Sequence, residues 1–239
     1  MAFECVWRTD VGLKRKVNED SVLVRTERGL WAVADGMGGH DAGDVASAMV
    51  AEALHNLPIV YGLDQLVDAA TDQLRRVNRQ LIELAEARGS ERSIGTTVVA
   101  LAIADGHFRC FWVGDSRAYR MRDGDIRRIS KDHSLVQDMV DAGMLAADEA
   151  ERHVDANVIT RAVGVSAALD FDSSTGEALV GDVFLLASDG LTRLVGDQEI
   201  LAQLAENSLD DAADALLEMA LSRGAPDNVS LIIVRALPT

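Results

Sequence analysis

Twice in the middle of the chain an Asp-Gly pair separates two β-rich runs: TTVVALAIA from HFRCFWV at Asp105-Gly106, and SRAYRMR from DIRRI at Asp123-Gly124. A two-residue link between strands favours the type I′ turn, whose central residues both need positive φ, and Asp-Gly adopts that conformation at little steric cost. The pairs commit this region to antiparallel neighbours, and their spacing predicts a meander of four strands. A hairpin is predicted earlier, over 21–35 (SVLVRTERGLWAVAD), with Arg28-Gly29 as its break, which leaves Asp35 at a strand end.

Elsewhere the apolar period changes. Ala46, Met49, Val50, Ala53 and Leu57 predict an amphipathic helix over 43–57, and Leu66, Val67, Ala70, Leu74, Val77 and Leu81 predict another over 63–85. Residues 131–170 are polar and short of β-branched runs, with one helix expected around 135–142, so they read as an excursion from the sheet. A strand follows at 183–187, then a helix after Asp197 and one whose start has Ser208 and Asp211 at capping-box spacing, and a buried strand at 229–234 closes the chain. Blocks of strands and helices without regular alternation predict an α+β fold, its sheets covered by helices on the outside. With no repeat and no Pro/Gly/Ser-rich linker, one domain over 1–239 is expected.

The chain carries 39 acidic against 23 basic residues, a formal net charge of -16. That balance argues against nucleic-acid backbones and anionic membranes as the main partner; it suits cation binding, and equally plain solubility. Cys5 and Cys110, both in apolar runs, are expected to be buried thiols rather than a disulfide or zinc set. The first ten residues lack the pattern of a signal peptide and the longest apolar run, 98–104, is too short to span a bilayer, so a cytoplasmic location is expected.

The chemistry is carried by the placement of aspartates. Asp35, Asp115, Asp189 and Asp227 each fall where a predicted strand meets a loop, in the contexts ADGMGG, VGDSR, SDG and PDN. Strand ends are rigid, and carboxylates presented from several of them can converge on hard divalent cations. Gly36, lacking Cβ, leaves its carbonyl free to join such a set. Any single Asp-Gly is more often an ordinary turn; the four contexts together, each at a strand edge, are what point to a metal site.

These segments, together with GLKRKVNEDS, GTT, DHS, ITRAVG and the terminal APDNVSLIIV, resemble the bacterial branch of the PP2C-like metal-dependent protein phosphatases over essentially the whole chain. The resemblance implies two packed antiparallel sheets, a β-sandwich flanked by helices on both sides, with a flap subdomain at about 131–170. It implies two Mn2+ or Mg2+ ions bridged by Asp35, with the Gly36 carbonyl, Asp189 and Asp227 as further ligands, Asp20 in support, and a third, weaker metal at Asp115. Arg15 would receive the substrate phosphate, as a fork of donors suits a dianion. The implied reaction is hydrolysis of phosphoserine or phosphothreonine in proteins by a metal-bridging hydroxide, reversing serine/threonine kinase signalling, so the expected partners are phosphorylated proteins, a kinase among them. A monomer is the default.

The leaving alkoxide needs a proton. His40, five residues after Asp35, is the first candidate, His133 in DHS the second, and a metal-bound water the third; eukaryotic members of the resembled family carry histidine directly after the Asp-Gly pair, where this chain has Met37. Thr160 and Arg161, in ITRAVG, are expected to contact substrate from the flap. A cysteine-based phosphatase is excluded, because Arg117 lies seven positions after Cys110 and not six. Two other readings stay open: a pseudophosphatase binding module, against which every acidic position of the motifs is filled, and a structural cation-binding domain, in which Arg15 would have no purpose.

Overall fold

The computed structural model describes residues 1–38, 42–89 and 93–238. Two antiparallel sheets stack face to face. The first has the order β1 (Ala2–Asp10), β11 (Val229–Leu237), β10 (Val183–Ala187), β7 (Arg117–Arg122) and β8 (Asp125–Arg128). The second runs β2 (Asp20–Arg25), β3 (Leu30–Met37), β5 (Val98–Ala104), β6 (His107–Val113) and β9 (Asp172–Glu177), with the short β4 (Gly95–Thr96) paired to the end of β3. Helices α1 (Gly43–His55) and α2 (Leu63–Ala87) cover the second sheet, and α5 (Asp197–Glu206) and α6 (Leu209–Ser222) cover the first.

This layering explains why the central strands read as continuous apolar runs. On β5, Val98, Ala100 and Ala102 face the helices while Val99, Leu101 and Ile103 face the other sheet. On β11, Leu231 and Ile233 face α6, and Ile232 and Val234 point into the inter-sheet layer with Trp31, Phe184 and Leu186. Strands buried on both faces have no polar period to show.

The Asp-Gly turns form as expected, with φ of 53° and 74° at Asp105 and Gly106 and of 52° and 76° at Asp123 and Gly124. The four strands around them are nevertheless not one meander. β5 and β6 pair in one sheet, β7 and β8 in the other, and the chain crosses between the sheets through Gly114, Asp115 and Ser116. Both Asp-Gly turns lie at the pole opposite that crossing. β1 and β9 answer to no predicted strand: β1 is an edge strand with mostly exposed or half-buried residues, and β9, DSSTGE, has almost no apolar content. Cys110 is fully buried but Cys5, on β1, is only half-buried.

The segment between β8 and β9 leaves the sheets, as the sequence predicts. It contains α3 (Leu135–Asp141), capped by the Ser134 side chain accepting from Gln137 N at 3.3 Å, and a 3-10 turn at Ala150–Arg152. Its end returns to the sandwich where Val163 and Thr96 exchange backbone hydrogen bonds at 2.9 and 3.0 Å.

Candidate metal centre

The start of β2, the end of β3, the β6–β7 crossing, the end of β10 and the start of β11 meet at one pole. Register places Asp20 directly opposite Asp35. Asp115 sits on the crossing, Asp189 opens the short helix α4 (Asp189–Thr192) after β10, and Asp227 precedes β11. These five carboxylates therefore come from both sheets. Asp35, Asp115, Asp189 and Asp227 line one cleft of about 520 Å³ with Arg15, Glu19, Gly36 and Arg193. Asp20 lies beneath its floor, 9 % exposed, accepting from Ser188 Oγ at 2.9 Å.

The backbone around these groups is pinned. Thr96 Oγ1 donates to Asp35 O at 2.9 Å, Thr97 Oγ1 accepts from Asp35 N at 3.1 Å and pairs with Ser116 Oγ at 2.7 Å, so the threonines of GTT tie the β3 end to the crossing that carries Asp115. A Cβ on Gly36 would fall 2.0 Å from Gly43 O and 2.5 Å from Glu19 O, so only glycine allows α1 and the residue before β2 to close on this turn. Asn228 accepts from Glu19 N at 2.8 Å and donates to Val11 O and Val17 O at 2.9 and 3.0 Å, closing the 11–19 loop that carries Arg15.

Electrostatically the cluster is short of positive charge. Burial and the nearby Asp189 and Asp227 push the Asp20 carboxyl up to about 7. Burial and Asp189 push Asp115 up to about 7 despite Arg193. Asp35 is held well above the usual range by desolvation and by Asp20, Asp189, Asp115 and Asp227, and Asp189 is raised by burial. Arginines take part of the carboxylates' capacity: Arg15 Nη2 lies 2.7 Å from Asp227 Oδ2, Arg193 Nη2 2.9 Å from Asp115 Oδ2, and Arg193 Nε 3.0 Å from Asp189 Oδ2. Among the described residues no three His, Cys, Asp or Glu side chains are gathered tightly enough to chelate an ion as they stand. Yet Asp20 Oδ1, Asp115 Oδ1 and Asp189 Oδ1 are buried with no hydrogen-bond partner. A buried unpaired carboxylate oxygen is costly, and a hard divalent cation is the partner that oxygen sets of this kind suit. The residues present fit the metal that the sequence predicts.

A profile described as protein phosphatase 2C matches residues 14–227. The chain belongs to that family. Among protein phosphatase 2C relatives, the serine/threonine protein phosphatase PstP of Mycobacterium tuberculosis is 37 % identical over 226 residues, 95 % of this chain and 43 % of PstP. The chain thus spans less than half the length of that relative. The serine/threonine phosphatase stp of Listeria welshimeri is 33 % identical over 95 % of this chain and 94 % of its own. Among solved structures, PppA, described as a key regulatory component of T6SS in Pseudomonas aeruginosa, superposes with a TM-score of 0.91 at 39 % identity, covering 99 % of both chains. The PstP catalytic domain in complex with two manganese ions superposes with a TM-score of 0.87 at 36 % identity, covering 99 % of both. These neighbours share the sandwich described above.

The remaining expected site residues of this family member fall into three places. His40 lies outside the described residues. Thr160 and Arg161 line a hollow beside the cleft, with Met37, Gly38 and Ile159 common to both, and Arg161 Nη1 donates to Asp172 Oδ1 at 2.9 Å. His133 is 3 % exposed and lies behind the crossing, its Nδ1 accepting from Gly114 N at 3.1 Å and its ring stacked on Trp112. Burial and Arg161 lower its pKa, which suits a neutral imidazole positioning the Asp115 turn. Arg193, Ser188, Thr97, Glu19 and Asn228 are site residues that motif reading passed over. Arg193 had a signal, since SDGLTR places it four residues after Asp189, one helical turn away.

Proposed function

We propose that this chain is a metal-dependent phosphatase that hydrolyses phosphoserine and phosphothreonine in proteins. The observation that carries the reading is the set of three partnerless buried carboxylate oxygens in and under a cleft that also presents Arg15. Asp35, the Gly36 carbonyl, Asp189 and Asp227 would hold two divalent cations, manganese or magnesium, with Asp20 supporting from below and Asp115 serving a third. When bound, these cations supply Lewis-acid activation of the attacking water and neutralise phosphoryl charge. Family membership and the two manganese ions in the PstP structure support this assignment.

The chain's own residues do the rest. Arg15 is half-exposed and spends one donor on Asp227, which leaves the remainder of a five-donor guanidinium for a phosphate dianion. Asp227 in turn holds that guanidinium over the cleft. As the P–O bond to the seryl or threonyl oxygen breaks, the alkoxide takes a proton, which we assign to His40. The 131–170 segment would act as a flap, Thr160 and Arg161 contacting the protein around the phosphorylated residue. Substrates would be targets of a serine/threonine kinase, the kinase included, met by a monomer in which residues 1–239 form one domain. Among the described residues no helix is long and apolar enough to cross a membrane.

The test is hydrolysis of p-nitrophenyl phosphate and of a phosphothreonine peptide with manganese, for wild type and Asp189→Asn. The substitution should lower turnover by at least about 100-fold, the upper end of the loss seen when a supporting group of a metal site is removed. Activity unchanged by the substitution, or absent from the wild type with every divalent metal, overturns the reading.

A further inference from the structure

Arg193 stands in the wall between two cavities. One is the cleft; the other is a chamber of about 180 Å³ beneath the 131–158 stretch, lined also by Arg117, Arg128, Asp132 and Glu151. A single guanidinium spans them. Its Nη2 donates to Asp115 Oδ2 at 2.9 Å and to Ala156 O at 3.1 Å, while Nε lies 3.0 Å from Asp189 Oδ2. Two of these acceptors belong to the carboxylate cluster and the third to the segment that overhangs it. The side chain is 25 % exposed, so its charge is partly desolvated and each bond is correspondingly worth keeping. Two other arginines reach the same stretch from the sheet, Arg117 to Asp132 and, through Nη1, to Glu151 Oε1 at 3.3 Å, and Arg128 to Asp132, but neither touches a carboxylate of the cleft.

In the arrangement described, Arg193 is the counter-ion of Asp115 and Asp189. A divalent cation drawn to the same two carboxylates, through the partnerless Oδ1 atoms or through the oxygens Arg193 holds, meets a positive charge 2.9–3.0 Å away from them. Like charges sharing one seat repel, and the mobile partner of the two is the long side chain. We propose that Arg193 is a tethered counter-ion that fastens the stretch around Ala156 over the cleft, and that a divalent cation settling on Asp115 and Asp189 displaces it, releasing the Ala156 carbonyl and with it that stretch. The inference rests on the metal-dependent reading above and goes beyond it, making the segment's position depend on how many cations are bound. By linkage the coupling runs both ways: fastening the segment weakens the cation, and a protein substrate that lifts the segment tightens it. Arg193 is thus a positioning residue, acting through the carboxylates and the segment rather than on the phosphate.

Calorimetric manganese titration and tryptic cleavage after the exposed Arg152, read in parallel, test this on wild type, Arg193→Gln and Arg193→Lys. In the wild type, cleavage should accelerate as the weakest manganese step fills. Arg193→Gln should tighten that step by at least about fivefold, the low end of couplings between sites, and be cleaved fast without manganese. Arg193→Lys keeps the charge but not the planar fork, so its manganese affinity should stay near wild type while its cleavage is fast at every manganese concentration. A merely structural arginine would leave the weak step unchanged or weaker in Arg193→Gln, and that result, or wild-type cleavage indifferent to manganese, overturns the proposal. If Arg193→Gln does not fold, Arg193→Lys decides: manganese-dependent cleavage like that of wild type overturns it. A wild type that binds no manganese would sink the metal reading and this proposal together, whereas normal manganese binding with indistinguishable variants sinks only the role of Arg193.

Discussion

Asn228 Oδ1 accepts the backbone N–H of Glu19 at 2.8 Å, joining residues 209 positions apart in the chain. The same side chain donates twice to the 11–19 loop, so the last strand of the first sheet holds the loop that leads into the second. Asn228→Ala removes all three bonds and leaves the carbonyls of half-buried Val11 and exposed Val17 to find other partners. We expect a stability loss of about 1–3 kcal/mol, three hydrogen bonds at about 0.5–1.5 kcal/mol each with water replacing part of them, together with a raised KM, because the loop carries Arg15. Urea denaturation and steady-state kinetics on the phosphothreonine peptide read both; an unchanged KM would separate the loop from substrate binding.

Arg15→Ala should raise KM for phosphorylated substrate while leaving manganese affinity close to that of wild type. Arg15 lies on Asp227, so the alternative is that it organises a metal ligand. Calorimetry decides: a collapse of manganese affinity in Arg15→Ala would mean that the ion pair builds the metal site.

The facing carboxylates Asp20 and Asp35 give the metal-free protein an unusual pH dependence. Asp20 and Asp115 titrate near 7 in the fold but in the usual aspartate range when unfolded. Between those limits the native state binds more protons, so their contribution to stability is complete at acid pH and is lost as pH rises toward and through 7. Bound cations replace the protons. The gap in melting temperature between manganese-loaded and chelator-stripped protein should therefore widen from pH 5.5 to pH 8, and a constant gap would show that these carboxylates do not carry the charge strain assigned to them.

Gly36→Ala should unfold more readily than any aspartate substitution in the cleft. The added methyl meets two backbone carbonyls, those of Gly43 and Glu19, and neither can swing aside as a side chain would. A melting temperature equal to that of wild type would mean that the β3–α1 turn is looser than its geometry.

The aspartates of the cleft were legible because each lies at a strand end whose neighbouring apolar run is itself strong. The α-β-β-α layering was partly legible, since doubly buried strands such as β5 and β11 announce themselves by unbroken apolar runs. The division of β5 to β8 between two sheets was not, because the crossing at Gly114, Asp115 and Ser116 looks in sequence like any tight turn. β9 was hidden for a different reason: DSSTGE pairs with β6 at a sheet edge through its backbone, and its side chains carry no burial signal. The roles of Thr97 and Asn228 depend on partners tens to hundreds of residues away, which local spacing does not encode.

The crossing at Asp115 has one more consequence. Asp20 and Asp35 belong to one sheet, Asp189 and Asp227 stand at the strand ends of the other, and the two pairs meet at the edge of the apolar layer of Trp31, Leu101, Phe184 and Ile232. How closely the two sets of carboxylates approach therefore depends on the thickness of a greasy slab, on the order of 10 Å between stacked sheets. A methyl group trimmed from that slab, far from any charge, would reach the chemistry as a change of gauge.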